Sequence, residues 1–187
     1  MPKKITMTEL KKHLLQLNQR EMVELVCKIH KNCPDAAGML TAEFGNDNYE
    51  EELFEETKKK IRNQFFPEHG LGRLSLATAK KAITEYKKFN KSAESILELQ
   101  MYYTECCGEF LRKYGDGPES LYNSVVHMFE MVVKGLNKMN QPELFQQYYP
   151  RLEKVVDNLG WGGYGAEDDA RYLLEKVLNW SENEENQ

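Results

Sequence analysis

Apolar residues recur every three or four positions along almost the whole chain, a spacing that puts them on one side of an α-helix. The run from Leu76 to Tyr86 and the run from Leu121 to Leu136 both follow this pattern. No segment alternates apolar and polar residues as a half-buried strand does, and no stretch of the sequence is repeated. We therefore predict an all-α protein, a compact bundle of about eight or nine helices.

Capping signals mark where the first helices begin. Thr6 with Glu9, and Asn18 with Glu21, have the capping-box spacing, in which each side chain bonds to the backbone N–H group of the other residue. They predict a helix that starts at Met7 and a second helix directly after Asn18. A third, short helix with the sequence PDAAGMLTAEF follows.

Turn residues separate the remaining helices. These helices are predicted over residues 49–65, 76–89, 93–114, 119–139, 142–159 and 167–180. The helix at 93–114 is apolar nearly all round, so we expect it to be the central and most buried helix. Pro150 removes a backbone donor inside the helix at 142–159, which predicts a kink or a split there.

The segment FFPEHGLGRLS, residues 65–75, is the clearest break in the chain, with a proline and two glycines before Ser75. We place a boundary between two helical lobes at residues 67–74, with residues 1–66 on one side and residues 67–180 on the other. The two lobes are expected to pack as one compact unit. Residues 181–187, with the sequence SENEENQ, are predicted to form a flexible acidic tail.

The composition and the cysteine pattern indicate the cellular location of the protein. Hydrophobic residues make up 41% and charged residues 29% of the chain, which are globular values. No apolar run approaches the roughly 20 residues of a membrane span, and the opening MPKKITMTELKK lacks the apolar segment of a secretory leader. The four cysteines are interpreted as thiols, because Cys106 and Cys107 are adjacent and Cys27 and Cys33 lie on one predicted helix. We therefore expect a cytoplasmic protein without membrane contact.

Charge is distributed unevenly along the chain. Residues 57–91 contain ten Lys and Arg and two Glu, a local charge of +8, within a chain of formal net charge −5. The other residues, with 28 acids and 15 bases, carry −13. A basic surface on an otherwise acidic protein is suited to an anionic partner.

The basic residues around the helix at 76–89 form the predicted anion or partner site. Steps of three and four residues put its lysines on one side of the helix while the apolar stripe turns inward. The loop HGLGRLS adds an arginine and a serine N-cap, with no acid in the first turn of the helix. The predicted site residues are Arg73, Ser75, Lys80, Lys81, Lys87 and Lys88.

The stretch GWGGYG, residues 160–165, has three interpretations. A phosphate loop is disfavoured because acidic residues 167–169 occupy the start of the next helix, where the anion would bind. In the favoured interpretation the glycines let the chain reverse tightly, and Trp161 and Tyr164 plug the junction between the last two helices. The alternative is that these two rings form an exposed aromatic platform for a partner.

Cys27, His30 and Cys33 form a C-x2-H-x2-C pattern, which raises the question of a zinc site. Steps of three on one helix spread the side chains over about 120 degrees. Cys33 falls at the middle of the apolar face, where a buried thiol behaves as a small hydrophobe. We therefore expect no bound metal and no other cofactor. The sequence also contains none of the common hydrolase or metalloprotease motifs.

The longer motifs resemble those of a known family. The segments TMTELKKHLLQLNQREMVELV, FFPEHGLGRLSLATAKKAITEYKKF and YYTECCGEFLRKYGDGPESLYNSVVHMFE, followed by GWGGYG, resemble the bacterial family called domain of unknown function 6155. The resemblance spans most of the chain. It implies a small, all-helical, cytosolic bacterial protein, and it brings no activity, substrate or catalytic residue with it.

The sequence favours a binding or adaptor protein that is not an enzyme. Its partner is expected to be an acidic protein or a phosphorylated ligand at the basic residues of the helix at 76–89. One alternative is a small helical enzyme or a zinc-binding protein that uses Cys27, His30 and Cys33. Another is RNA or DNA binding at the same basic residues, which is disfavoured because the acidic remainder of the chain repels phosphates. A homo-oligomer, in which the acidic side of a second copy neutralises these residues, is a further alternative.

Overall fold

A computed structural model describes residues 4–45, 48–70 and 73–184, with side chains as far as Val177. Within these ranges the chain forms nine α-helices and no strand, which confirms the predicted all-α fold. The helices are α1 (Met7–Leu14), α2 (Gln19–Asn32), α3 (Pro34–Phe44), α4 (Tyr49–Phe65), α5 (Leu76–Phe89), α6 (Ala93–Tyr114), α7 (Glu119–Met139), α8 (Pro142–Leu159) and α9 (Ala166–Glu184).

Local sequence signals set most of the helix ends. The Thr6 N–H donates to the Glu9 carboxylate at 2.9 Å, and the Asn18 N–H donates to the Glu21 carboxylate at 2.8 Å, so both predicted capping boxes are confirmed. The helices α4, α5 and α6 have the predicted bounds. The last helix, α9, extends to Glu184, beyond the predicted end at residue 180. Residues 185–187 of the predicted acidic tail lie outside the described residues.

The chain divides into two units, Met1–Tyr49 and Glu50–Gln187. In the first unit α2 packs against α3, and none of the described side chains of α1, α2 and α3 is buried. The second unit contains a large apolar core, to which α4 contributes Ile61 and Phe65. Because α4 is anchored in this core, the division between the units falls at the first residue of α4, whereas the sequence pattern predicts a boundary at residues 67–74.

The central helix of the second unit is α6. Ten of its residues are buried, and it contacts α5, α7 and α8. The ring of Phe65 on α4 meets the ring of Tyr103 edge-on, with 5.7 Å between the ring centroids. The Tyr103 hydroxyl is hydrogen-bonded to the Ser124 hydroxyl of α7 at 2.7 Å. This arrangement confirms the prediction of a central helix at residues 93–114.

A charged cluster joins α8 to α6. Arg151 donates four hydrogen bonds of 2.6–2.9 Å, two to the carboxylate of Glu98 and two to that of Glu105. The Tyr148 hydroxyl also donates to Glu98, at 2.7 Å. The three charged side chains are each about one-quarter exposed. Burial raises the pKa of Glu98, but the hydrogen bonds from Arg151 and Tyr148 outweigh burial, and the net change of the pKa is downward.

Pro150 lies inside α8, which continues without a break from Pro142 to Leu159. The predicted split of this helix is therefore wrong. A proline inside a helix costs roughly 3 kcal/mol, through a lost hydrogen bond and a clash with the preceding turn. Tertiary contacts of the same segment offset this cost, because Arg151 is bound to α6 and Leu152 is fully buried.

Candidate anion-binding face

One side of α5 is held against the core of the second unit. Its buried residues are Ala79, Ala82, Ile83 and Tyr86. The Tyr86 ring also meets Phe54 of α4 edge-on, with 6.0 Å between the ring centroids. This packing fixes the rotation of α5 about its axis, so the polar residues between the apolar ones point away from the core.

The lysines of α5 occupy its outward side. Lys80 and Lys87 are half-buried and lie about two helical turns apart, while Lys81 and Lys88 are exposed. A half-buried lysine packs its methylene chain on apolar surface and keeps its ammonium group in water. These four lysines and Arg73, which precedes the helix and is exposed, are named the α5 basic face.

Ion pairing distinguishes the basic residues of α4 from those of the α5 basic face. The cations of α4 each pair with a carboxylate at N–O distances of 2.9–3.7 Å, in the pairs Lys58–Glu55, Lys59–Glu68, Lys60–Glu56 and Arg62–Glu109. On α5, Lys81 pairs with Glu85 at 3.6 Å. In the described parts of the chain, Arg73, Lys80 and Lys87 form no ion pair. The positive charge of α4 is therefore compensated, and much of that on the α5 basic face is not.

The start of α5 differs from the predicted Ser75 cap. The Ser75 hydroxyl is hydrogen-bonded to Thr78 Oγ1 at 2.7 Å and caps no backbone N–H group. A tight turn, in which the Leu76 N–H donates to the Leu74 carbonyl, holds ψ of Ser75 at 83°. The N-cap residues of α1 and α2, which do cap, have ψ of 160° and 169°. Ser75 therefore occupies the N-cap position as predicted, but its side chain does not cap the helix. Gly72 of the predicted loop lies outside the described residues.

A groove between α4 and α6 was not predicted from the sequence. It has a volume of about 690 Å³, and its lining includes Lys58, Arg62, Phe66 and Tyr102. The Lys58 ammonium lies 5.0 Å from the centroid of the Tyr102 ring, and the Arg62 guanidinium lies 4.9 Å from that of Phe66. The described lining contains three acidic and three basic side chains, so the groove has no excess of positive charge.

The adjacent cysteines of α6 are buried. Burial raises the pKa of the Cys106 thiol to about 12 and raises that of Cys107 well above its ordinary value. Both thiols are therefore protonated at neutral pH, and a protonated thiol is a poor nucleophile and a poor metal ligand. Neither residue supports covalent catalysis.

Cys27, His30 and Cys33 do not converge on one point. The helix α2 ends before Cys33, which has φ −131° and ψ 104° and is exposed, so the prediction of a buried Cys33 on the apolar face is wrong. Cys27 and His30 line a groove of about 460 Å³ between α2 and α3, and Cys33 does not. Across the described residues, no three His, Cys, Asp or Glu side chains are arranged to hold a metal ion.

The GWGGYG loop, which connects α8 to α9, contacts the core through a glycine. Gly162 packs directly on the ring of the buried Tyr122. Trp161 and Tyr164 are each 67% exposed, although the Tyr164 ring contacts Tyr122 with 5.0 Å between the ring centroids. The interpretation of the two rings as a plug is therefore wrong, because both rings are mostly exposed and it is Gly162 that packs on the buried Tyr122. The aromatic platform formed by Trp161 and Tyr164 stays a prediction.

Comparison with known proteins identifies the family of the chain. No helix of the described chain has the length and apolar character needed to cross a membrane. No curated protein and no solved structure matches the chain. Residues 5–163 match a family of unknown function, DUF6155, which confirms the resemblance seen in the sequence, and the chain belongs to this family.

Proposed function

We propose that this DUF6155 protein is a non-enzymatic binding protein that accepts an acidic protein segment on the α5 basic face. The observation that carries the proposal is the difference in ion pairing between the two basic helices. Arg73, Lys80 and Lys87 have no carboxylate partner among the described residues, whereas the cations of α4 are paired. An uncompensated cation attracts an anionic partner without first giving up an intramolecular ion pair.

The rigid support of the α5 basic face favours binding. Ala79 and Ile83, on the side of the helix that faces the core, are 0% and 3% exposed, and α5 packs against α6. The lysines therefore project from a backbone that is already ordered. An ordered backbone loses little conformational entropy on association. The favourable electrostatic energy is therefore offset less, and binding is tighter than it would be to a flexible segment.

The spacing of the lysines favours a protein segment over other anions. Lys80 and Lys87 are separated by about 10 Å along the helix axis, which is the separation of carboxylates two turns apart on a partner helix. A single phosphate group is much smaller than this distance and would engage one end of the face. A nucleic acid is disfavoured, because the residues outside 57–91 carry −13 and repel a continuous phosphate backbone.

Charge reversal on the α5 basic face is expected to weaken the binding of an acidic probe. For Lys80→Glu/Lys87→Glu, the Kd of a fluorescein-labelled poly-glutamate peptide, measured by fluorescence anisotropy, should rise at least tenfold, on the order of 1.4 kcal/mol. Added salt should weaken binding to the wild type and change binding to the variant much less. The matched control is Lys134→Glu/Lys138→Glu on α7, where both side chains are exposed and the change in net charge is the same.

Equal affinities of the two double variants would contradict the proposal, because the total charge and not the α5 basic face would then govern binding. Circular dichroism of both variants checks that the helices persist. Single-stranded RNA as the labelled probe, and inorganic phosphate as a competitor, distinguish the other anions. Tighter binding of RNA than of the peptide would show that the partner is a nucleic acid.

A further inference from the structure

Three aromatic rings meet where α4 and α6 end. Phe66 directly follows α4, and Phe110 and Tyr114 lie in the last two turns of α6. The ring centroids of Phe110 and Tyr114 are 4.6 Å apart, and those of Phe66 and Phe110 are 6.2 Å apart. The buried Phe65 meets Phe110 edge-on, so the rings are connected to the core of the second unit. Phe66, Phe110 and Tyr114 are named the aromatic cluster.

One ring of the aromatic cluster is accessible to a partner. Phe66 and Phe110 are partly buried, whereas Tyr114 is 50% exposed. An exposed ring that is held by two partly buried rings provides an ordered contact for a further ring, in an offset or edge-on arrangement. An aliphatic side chain at the same place would gain only the burial of its surface. The aromatic cluster is therefore suited to an aromatic side chain.

A cation without a carboxylate partner lies over the aromatic cluster. The Lys113 ammonium is 5.3 Å from the centroid of the Phe66 ring and 5.4 Å from that of the Tyr114 ring. Lys113 is exposed, and within the described residues it forms no ion pair. A cation attracts the electron-rich face of an aromatic ring, and it also attracts a carboxylate near that ring. Lys113 therefore favours an aromatic residue that belongs to an acidic segment.

The α5 basic face begins close to the aromatic cluster. Only residues 90–92 connect α5 to α6, so the two packed helices run antiparallel and α5 starts beside the second half of α6. The Leu74 N–H donates to the Gln64 carbonyl at 2.9 Å, and Arg73 directly precedes Leu74. Phe66 is the second residue after Gln64, so its Cα atom lies within about 16 Å of that of Arg73. About five residues of an extended segment cover this distance.

We propose that the aromatic cluster and Lys113 bind an aromatic side chain of the same acidic segment that the α5 basic face accepts. This inference rests on the proposed function and specifies the chemistry of the partner. The carboxylates of the segment contact the lysines of α5, and its ring packs on Tyr114 beside Lys113. Up to about five residues separate this ring from the carboxylate that contacts Arg73.

Peptides that differ in one residue test this inference in the full chain. A poly-glutamate peptide is extended by tryptophan or by leucine, at either end, and its Kd is measured by isothermal titration calorimetry, so that no dye ring competes. One of the two tryptophan peptides should bind the wild type about fivefold more tightly than the matching leucine peptide, because its ring contacts both Tyr114 and the Lys113 ammonium.

Removing one exposed ring locates the effect. Tyr114→Ser should abolish the difference between the tryptophan and leucine peptides. Tyr172→Ser is the matched control and should leave the difference at about fivefold. Tyr172 is 60% exposed and has the Lys176 ammonium 4.1 Å from its ring centroid, but it lies on α9. Circular dichroism checks that both variants keep their helices.

The outcomes separate this inference from the proposed function. Equal Kd values of the tryptophan and leucine peptides for the wild type, or a difference that persists in Tyr114→Ser, would overturn the inference and leave the proposed function standing. If neither the tryptophan nor the leucine peptides bind, both are wrong. In NMR spectra the amide signals of Lys113 and Tyr114 should shift more with the tryptophan peptide than with the leucine peptide. Larger shifts of these signals with single-stranded RNA would show that the aromatic cluster stacks on bases, which would also contradict the inference.

Discussion

Replacing Arg151 by methionine is expected to lower the free energy of unfolding by about 3 kcal/mol, measured by urea denaturation. The substitution keeps an apolar stem of similar length but leaves the carboxylates of Glu98 and Glu105 three-quarters buried without their ion-pair partner. Removing one member of a partly buried ion pair lowers the stability more than removing both members, because the remaining charge is left buried without a partner. The matched control is Arg171→Met, which should change the stability much less, because Arg171 is 53% exposed and pairs only with Glu167 in the described chain.

Neutralising the carboxylates separates the effect of charge from that of packing. The triple variant Arg151→Met/Glu98→Gln/Glu105→Gln should recover most of the lost stability, because no buried charge is then left unpaired. If the triple variant is as unstable as Arg151→Met alone, the loss comes from packing, and the assignment of the cluster as an electrostatic contact between α6 and α8 is wrong.

The same cluster makes stability depend on pH. Burial raises the pKa of Glu98, the hydrogen bonds from Arg151 and Tyr148 lower it, and the net pKa in the folded protein lies below the ordinary value of 4.5. Such a carboxyl stabilises the fold above its unfolded pKa and loses this contribution as the pH falls through its folded pKa. The stability difference between the wild type and Arg151→Met should therefore be largest at neutral pH and shrink below pH 4.5. A difference that does not change with pH would contradict this account.

The substitution Gly162→Ala is expected to lower the free energy of unfolding by about 2 kcal/mol. A Cβ at this position would lie 2.7 Å from the hydroxyl oxygen of Tyr122 and still closer to its ring. Tyr122 has no room to move away, because it is 1% exposed and its hydroxyl donates to the Asp116 carboxylate at 2.9 Å. The φ of Gly162 lies outside the left-handed region, so the clash and not backbone strain causes the loss.

The neighbouring glycine provides the control for this prediction. A Cβ at Gly163 would meet no atom within 4 Å. Gly163→Ala should therefore change the free energy of unfolding by less than about 0.5 kcal/mol in the same urea titration. Equal losses in Gly162→Ala and Gly163→Ala would mean that the loop does not pack on Tyr122.

Features that depend on neighbouring residues were predictable from the sequence. The capping boxes of Thr6 and Asn18 act within one helical turn, and α5 and α6 begin and end where the turn residues indicated. The end of α2 had a local signal as well, because Cys33 precedes Pro34 and a residue before proline is biased toward extended backbone. The prediction that Cys33 belongs to α2 overlooked this bias.

Contacts between distant residues were not predictable. Arg151 is 46 residues from Glu105 and 53 from Glu98. The only sequence signal was the spacing of the two glutamates, which puts them on one side of α6. For the α5 basic face, the sequence identified the side of the helix that carries the lysines. The sequence did not show which basic side chains form ion pairs, because the partner can come from another helix. Glu109 of α6, for example, pairs with Arg62 of α4.

The role of the α5 basic face as a binding site is tested most directly by an NMR titration of the isotope-labelled full chain with an unlabelled poly-glutamate peptide. We expect the backbone amide signals of α5, and that of Arg73 before it, to shift progressively and to reach saturation. The signals of the groove between α4 and α6 should stay in place, because the charges there are compensated. Shifts confined to that groove or to the first unit, with the α5 signals unchanged, would contradict the account.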